Sequence, residues 1–514
     1  MTEYDFNFGI RKNSELYYSR FTDHKFGTST DMITKEHIQQ LKQNDIQELY
    51  RLIKEARGTR ELILILENLG YLPDGFDSDV IRPLLNHSNP NVRFWTVKNL
   101  GKVSDSTLLD SLFEIAKNDP DSMVRREAVS SIGRMRTPLA IPYLGRLSKD
   151  NDPKVVLQAI RGLLVFKSDA SVKKDLLELR SHPNEMVQSV IRREFSQNDN
   201  HSSKKAPHPV FPSFMKDVVV HGDVREVLNY VPDESIHLTF TSPPYYNARD
   251  YSIYTSYNEY LGFLTDVFKE VHRVTKEGRF LIVNTSPVII PRVSRAHSSK
   301  RYPIPFDLHG RLVQDGWEFI DDIIWLKPES SVKNRNAGFL QHRKPLAYKP
   351  NAITEYLMVY RKETDKLLDY NMKQYDRDTI EESRVKGEYE TSNVWKIDPV
   401  FDNVHTAVFP IELCNRVIKF YSYKGDLVFD PFGGSGTFGK AAKNLGRHFF
   451  LTEQEERYIE RMKQDMARRS LFGQRETSFL TAEQFIKLSK EFEDDNNRKC
   501  NTRNYKEASE RPRL

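Results

Sequence analysis

Apolar positions in the first two hundred residues recur at helical spacing, as in Val124, Ala128 and Ile132, and they do so inside a larger repeat. The segments NPNVRFWTV (89–97), DPDSMVRREAV (119–129), DPKVVLQAI (152–160) and HPNEMVQSVI (182–191) have prolines at 90, 120, 153 and 183 and valines at 92, 124, 155 and 187. The period is therefore about 32 residues, in the range of stacked helix pairs, because one pair cannot bury its apolar face alone. A polar residue followed by Pro suits a helix N-cap with Pro near the first helical position. Residues 35–197 are thus expected to be all-helical, preceded by an N-terminal segment, 1–34.

The pattern then changes. Residues 198–213 are rich in Ser, Asn, Lys and Pro without periodicity and read as a linker. From 214 to about 475, short apolar runs with strand character appear: DVVV (217–220), IHLTF (236–240), RFLIV (279–283), FIDDIIWL (319–326), EYLMVY (355–360), DLVF (426–429) and HFFL (448–451). Amphipathic helical segments such as YNEYLGFLTDVFKEVHRVTK separate several of them. That alternation predicts an α/β domain with a largely parallel sheet covered on both faces. FIDDIIWL and EYLMVY have no clear helix between them and are expected to pair as an antiparallel hairpin. Half of residues 491–514 are charged, and that tail is expected to be disordered.

Composition adds bounds. With 77 basic and 72 acidic residues in 514, the net charge of +5 argues only weakly for an anionic partner, so a nucleic-acid surface would have to be a local patch. Cys414 and Cys500 are far apart, which excludes a disulfide framework and offers no metal-like spacing. The N-terminus lacks an apolar signal region, and stretches such as LILIL are too short to span a bilayer. The expectation is a soluble, cytoplasmic protein without membrane association or a bound metal.

Ligands of a parallel sheet sit at the carboxyl ends of its strands. After IHLTF comes Ser242-Pro243-Pro244-Tyr245. Two prolines fix the chain in an extended form and withhold two N–H groups, leaving carbonyls and the Ser hydroxyl as acceptors beside an aromatic ring. A rigid turn with a capping Ser is the ordinary explanation of such a stretch in isolation. After DLVF comes DPFGGSGTFGKAA (430–442). Its glycines would let the backbone approach a ligand, and the following helix would offer its N-terminus to an anion. Gly434 and Gly439-Lys440 also satisfy most of a phosphate-loop pattern, except that Ala441 stands where a magnesium-binding hydroxyl is needed. Glu453, about 20 residues past the glycines, is placed to meet a ribose diol, and Asp223 follows the first strand; a solvated Glu and a loop-capping Asp are their plain alternatives.

The first region resembles HEAT repeats. The set HGD…TFTSPPYYNARDY…HTAVFPIELCNRVIKFYSYKGDLVFDPFGGSGTFGKAAKNLGRHFFLTEQEERYIERM, from about 214 to 470, resembles the beta group of DNA amino-methyltransferases, in which an S/D/N-P-P-Y/F motif precedes an F-x-G-x-G motif. The resemblance implies a seven-stranded, mostly parallel, Rossmann-like domain that transfers a methyl group from S-adenosyl-L-methionine to the exocyclic amine of a base flipped out of double-stranded DNA. It implies catalytic roles for Ser242, Pro243, Pro244 and Tyr245. It implies cofactor contacts for Phe432, Gly434, Gly436 and Thr437 in the loop, Asp430 near the methionine ammonium, Glu453 on the ribose, Asp223 on the adenine side, and His405, Phe409 and Pro410 over the methionine end. Ser before P-P-Y goes often with cytosine N4 and Asp or Asn with adenine N6, so Ser242 favours N4-methylcytosine, with adenine N6 the alternative. Residues 327–400, basic and rich in amides and aromatics, and the loop 291–303 are candidate target-recognition segments. The repeats could add DNA contacts or dock a cognate restriction endonuclease. A helical scaffold carrying a degenerate cofactor fold is the rival from another class, and RNA or protein acceptors are further alternatives.

Overall fold

The computed structural model describes residues 33–103, 105–195, 210–246, 254–290, 296, 299–332, 344–346, 350–364, 366–400, 408–470 and 476–509. They form two units, 1–202 and 203–514.

The first unit contains α1 (Lys35–Asn44), α2 (Ile46–Lys54), α3 (Thr59–Asn68), α4 (Pro90–Leu100), α5 (Leu109–Asn118), α6 (Ser122–Arg134), α7 (Ile141–Leu147), α8 (Pro153–Leu163), α9 (Ala170–Glu178) and α10 (Glu185–Glu194). The repeated motif starts the second helix of each pair. Asn89 and Asp152 cap α4 and α8, whose first residue is the proline, whereas Asp121 and Asn184 cap α6 and α10, one residue after the proline. The repeat also explains a polar ladder. Arg93 of α4 makes two bonds, 2.7 and 2.8 Å, to Asp119 in the loop before α6, and Arg126 of α6 reaches Asp152, the cap of α8, at 2.9 Å. One core runs through the stack, with Val92, Val124, Val155 and Val187 all fully buried in it.

The second unit begins β1 (Val218–His221), α11 (Val224–Leu228), β2 (Ile236–Thr241), α12 (Tyr257–Val274), β3 (Thr275–Thr285), β4 (Val288–Ile290) and β5 (Lys300–Tyr302). It continues α13 (Ile304–Gln314), β6 (Trp317–Leu326), β7 (Thr354–Lys362), α14 (Leu368–Met372), α15 (Arg377–Ser383), β8 (Val394–Lys396) and α16 (Ile411–Tyr421). It ends β9 (Leu427–Asp430), α17 (Thr437–Asn444), β10 (His448–Glu453), α18 (Glu456–Ser470), β11 (Ser478–Thr481) and α19 (Ala482–Ser509). All seven apolar runs are strands of one sheet with the order β11-β1-β10-β9-β2-β3-β7-β6-β8. β6 and β7 pair antiparallel, as their lack of an intervening helix predicts. Two short strands, β11 and β8, extend the expected seven to nine, one at each edge, and β4 and β5 form a separate pair. The period-2 alternation of strand side chains divides the core. Val218, Val220 and Leu281 face one layer, Val219, Leu238 and Ile282 the other.

Two boundaries differ from the sequence reading. The domain does not end near 475, because β11 pairs in parallel with β1. The tail from 491 is not disordered as expected: α19 runs from Ala482 to Ser509. A narrow apolar stripe amid the charges docks it. Phe485 is fully buried against Phe450 at 5.2 Å, Phe492 meets Phe214 at 5.6 Å, and Ser489 donates to the Tyr230 carbonyl at 2.6 Å. A capping box starts the helix: Thr481 and Gln484 bond each other's backbone N–H.

The stretch 327–400 is likewise not one insertion. β7 and β8 within it belong to the sheet. Tyr375 bonds Asp426 at 2.6 Å, at the start of β9, and Asn371 bonds the Gly278 carbonyl near the start of β3. These contacts tie α14 and its neighbourhood to the end of the sheet opposite the strand carboxyl ends. Of the remaining recognition candidates, 333–343 and 347–349, with most of 291–298, lie outside the described residues. Among the described residues no helix is long and apolar enough to cross a membrane.

Candidate active site

The sheet changes winding direction between β9 and β2, which lie side by side and parallel. β9 leads outward to β10 and β2 leads the other way to β3. Such a switch point opens a crevice beyond the strand carboxyl ends. The crevice here is lined by Gly222 and Asp223 after β1, Ser242 to Tyr245 after β2, Asp430 to Ser435 after β9, and Glu453 to Glu455 after β10. Of the residues the sequence singled out, Asp223, Ser242, Pro243, Pro244, Tyr245, Phe409, Asp430, Phe432, Gly434, Thr437 and Glu453 all line this one cavity.

Three do not. Gly436 is the N-cap of α17 with φ +71°, a left-handed conformation that favours glycine, as does Gly434 at +51°. Pro410 caps α16 and lines a neighbouring groove with Lys327 and Lys396. His405 lies outside the described residues.

On the loop side, Asp430 is buried at 2% exposure. Its Oδ1 accepts from Thr241 Oγ1 at 2.6 Å and from Phe432 N at 3.0 Å. Burial pushes its carboxyl up to about 7, and those two bonds only partly offset the effect. A buried carboxyl held near neutrality beside a cavity is poised for a cationic group. Glu453 braces the loop: Oε2 accepts from Gly434 N at 2.7 Å and Oε1 from Glu455 N at 2.8 Å, while burial raises its carboxyl. Asp223 caps α11 and pairs with Arg225 at 2.7 Å, which holds it below the usual range. It is therefore a capping residue that also faces the cavity. Phe409 stacks on Phe240 at 4.5 Å. These residues fit S-adenosylmethionine, the cofactor implied by the resemblance: a carboxyl for the ammonium, a second carboxyl bonded to the glycine loop beside the cavity, and aromatic walls.

On the motif side, Ser242 Oγ accepts from Asn284 Nδ2 at 3.4 Å, and Tyr245 OH donates to Glu355 Oε2 at 3.4 Å. Burial, with the charge of Glu355 adding to it, pushes the Tyr245 hydroxyl well above its ordinary value. Tyr254 and Phe263 also line the cavity and were not singled out from the sequence, nor were Asn284 and Glu355 behind Ser242. An aromatic-rich stretch around Tyr254 and an acidic residue opening the apolar run EYLMVY were the available signals.

The phosphate-loop reading fails on Gly439 and Lys440. A Cβ at Gly439 would stand 3.0 Å from both Leu451 and Phe449, so this glycine lets α17 pack on β10. Lys440 Nζ bonds Asp465 at 2.6 Å and does not line the cavity. Lys440→Met is expected to leave cofactor affinity within twofold of wild type in calorimetry while lowering the melting temperature, because it removes one partner of a largely buried pair. A tenfold loss of affinity would return this lysine to the site.

Residues 236–464 match the DNA methylase family and residues 78–164 match HEAT repeats. The chain is 29% identical over 241 residues to the Type II methyltransferase M.MwoI of Methanothermobacter wolfeii, covering 45% of this chain and 31% of that protein. It is 30% identical over 251 residues to the Type II beta methyltransferase M.BslI of a Bacillus strain, covering 47% and 26%. The matches thus span a third or less of those two proteins. Against the Type II methyltransferase M.Cfr9I of Citrobacter freundii, identity is 29%, over 46% of this chain and 84% of the relative. A Thermus thermophilus protein described as a putative DNA modification methylase, crystallised with S-adenosyl-L-methionine, aligns with 28% identity and TM-score 0.43 over 52% of this chain and 98% of that one. Within the C-terminal unit the likeness is thus to DNA methylases, and the HEAT-repeat match precedes it.

Proposed function

We propose that the protein is an S-adenosylmethionine-dependent methyltransferase acting on the exocyclic N4 amine of cytosine in duplex DNA, as the modification half of a restriction–modification system. One observation carries this reading: the Ser-Pro-Pro-Tyr strand end and the glycine loop, nearly two hundred residues apart, line the same cavity.

S-adenosylmethionine, when bound, supplies a methyl group already activated on a sulfonium. Asp430 holds the ammonium, the loop and Glu453 hold the carboxylate and ribose ends, and Asp223 faces the adenine side. The protein's remaining task concerns the acceptor. An exocyclic amine is a weak nucleophile because its lone pair is delocalised into the ring, and the base is stacked in the duplex until it is flipped out, at a cost of a few kcal/mol. Ser242 Oγ and the Pro243 carbonyl accept the two amino hydrogens, which localises the lone pair and favours a tetrahedral nitrogen. Tyr245 offers a ring for the base to stack on, a contact of roughly 1–3 kcal/mol. Positioning the two reactants does the rest. Cys414 is fully buried on α16 and the sequence has no Pro-Cys dipeptide of the kind that supplies the nucleophile in cytosine-C5 enzymes, so this reading calls for no covalent enzyme intermediate. Ser242 favours cytosine over adenine. The repeats are a candidate surface for DNA or for a partner endonuclease.

The test is to incubate the full chain with S-adenosylmethionine and mixed-sequence duplex DNA, digest it, and weigh the nucleosides. N4-methylcytosine is expected. N6-methyladenine would move the acceptor to the alternative base, and no methylated nucleoside with cofactor binding intact would overturn both.

A further inference from the structure

We infer that Glu355 is a positioning residue for methyl transfer: held by Lys327, it aims the Asn284 amide at Ser242 and fixes the Tyr245 hydroxyl, so that one carboxylate orders both groups that meet the target base. The inference rests on the functional reading above.

The three residues come from three strands. β7 runs antiparallel to β3 and β6, so the start of β7 meets the carboxyl ends of both. Register sets Asn284 opposite Leu357 and Trp325 opposite Glu355, and Lys327 follows directly after β6. Asn284 Nδ2 donates to Glu355 Oε2 at 2.6 Å and to Ser242 Oγ at 3.4 Å. Tyr245 OH donates to the same Glu355 oxygen at 3.4 Å and is also bonded by Ser242 and Ser286, and Lys327 Nζ pairs with the other carboxylate oxygen, Oε1. Lys327 also lies over the Trp325 ring at 4.2 Å, which fixes its direction. Both members of the pair are largely buried, with side chains 16% and 17% exposed.

The chemistry of these groups fixes orientation. Only the NH₂ of an amide can donate to a carboxylate, so the bond to Glu355 determines which way Asn284 faces. Its Oδ1 is buried, and no donor among the described residues reaches it. A buried acceptor without a donor is unfavourable and uncommon; the amide is therefore held by its NH₂ side alone. That side makes Ser242 Oγ an acceptor toward Asn284 and turns the hydroxyl hydrogen away from it. A lone pair of Oγ is left to accept from the target amine. Asn284 can neither take nor give a proton, so its part is to transmit the orientation set by Glu355.

The experiment compares wild type, Glu355→Gln and the conservative variant Glu355→Asp. Each is assayed for S-adenosylmethionine affinity by calorimetry and for single-turnover methyl transfer to duplex DNA. Glu355→Gln should bind cofactor within twofold of wild type and transfer methyl 10- to 100-fold more slowly. Glu355→Asp, which keeps a carboxylate to accept from the Asn284 amide, should transfer methyl at least fivefold faster than Glu355→Gln, a rescue that a merely structural role would not give. Should Glu355→Gln melt far below wild type, Lys327→Met/Glu355→Gln removes both charges together and should show the same slow transfer with cofactor bound. A Glu355→Gln rate within threefold of wild type, or a Glu355→Asp rate no faster than Glu355→Gln, overturns the inference. A wild-type chain that methylates no DNA overturns instead the functional reading, and this inference with it.

Discussion

Replacing Ser242 with Ala is expected to slow methyl transfer by about 10²- to 10³-fold, the loss typical of one preorganised hydrogen-bond partner in a site shielded from water, while S-adenosylmethionine affinity stays within twofold. The two effects separate because of where Ser242 stands. It follows Thr241, whose hydroxyl bonds Asp430 at 2.6 Å. The backbone that shapes the cofactor side is thus pinned by Thr241 and the two prolines, and the Ser242 side chain is not needed for it. Oγ bonds Asn284 and the Tyr245 hydroxyl, both on the motif side of the cavity. Its removal subtracts an acceptor for the amine and nothing from Asp430, Glu453 or the loop. The Pro243 carbonyl remains, so the variant should retain measurable transfer. In kinetic terms the rate constant falls and the cofactor KM does not, the signature of an interaction made in the transition state. Equal losses in transfer and in cofactor affinity would mean that Ser242 holds the cofactor, and the division of the cavity proposed here would be wrong.

What the sequence made legible, and what it hid, follows from the range of the contacts involved. β1, β2, β3, β9 and β10 read as apolar runs because parallel strands are buried on both faces, so nearly every residue in Val218–His221 or Leu427–Asp430 must be apolar. The glycine loop was legible because a left-handed φ at Gly434 and Gly436 demands a particular residue type locally. β11 and α19 were not legible. SFLT is four residues long and only half-buried, and the helix after it carries its docking stripe on Phe485, Ser489 and Phe492 amid charged neighbours. Its order comes from Phe214, Tyr230 and Phe450 far back in the chain, which no local pattern encodes. The same holds at the site. Ser242 to Tyr245 announced themselves as a contiguous motif, whereas Asn284, Lys327 and Glu355 each look ordinary and become a cluster only through the antiparallel register of β7 with β3 and β6. The phosphate-loop ambiguity had the same origin. Lys440 is committed to Asp465 on α18, a partner that the spacing of the loop could not reveal.

Asp430→Asn is expected to stabilise the cofactor-free protein and to cripple cofactor binding, both by large amounts. The carboxyl titrates near 7 in the folded chain against an ordinary value of 3.8. Well below pH 4 it is protonated whether the chain is folded or not and contributes no difference. As pH rises from 4 through 7 the unfolded chain releases this proton and the folded chain keeps it, so stability falls, and above 7 the folded protein carries a buried, ionised carboxylate. Three pKa units correspond to roughly 4 kcal/mol, an upper bound on the cost. Asparagine has no charge to bury, and its Oδ1 can keep the bonds from Thr241 and Phe432. A realised gain of about 1–3 kcal/mol would raise the melting temperature by several degrees at pH 8, with the difference shrinking to nothing near pH 4. Binding moves the other way. Removing one member of a buried, hydrogen-bonded charge pair costs about 2–5 kcal/mol, so affinity for S-adenosylmethionine should fall by about 30-fold or more. In the wild-type chain the same titration makes binding pH-dependent. The ammonium favours the ionised carboxylate, so cofactor binding releases a proton, and affinity should rise from pH 6 toward a plateau above 7. Calorimetry in buffers of different ionisation enthalpy detects that proton directly. A variant that melts below wild type at pH 8, or that binds cofactor normally, would show that Asp430 does not face the ammonium and that its burial serves the fold alone.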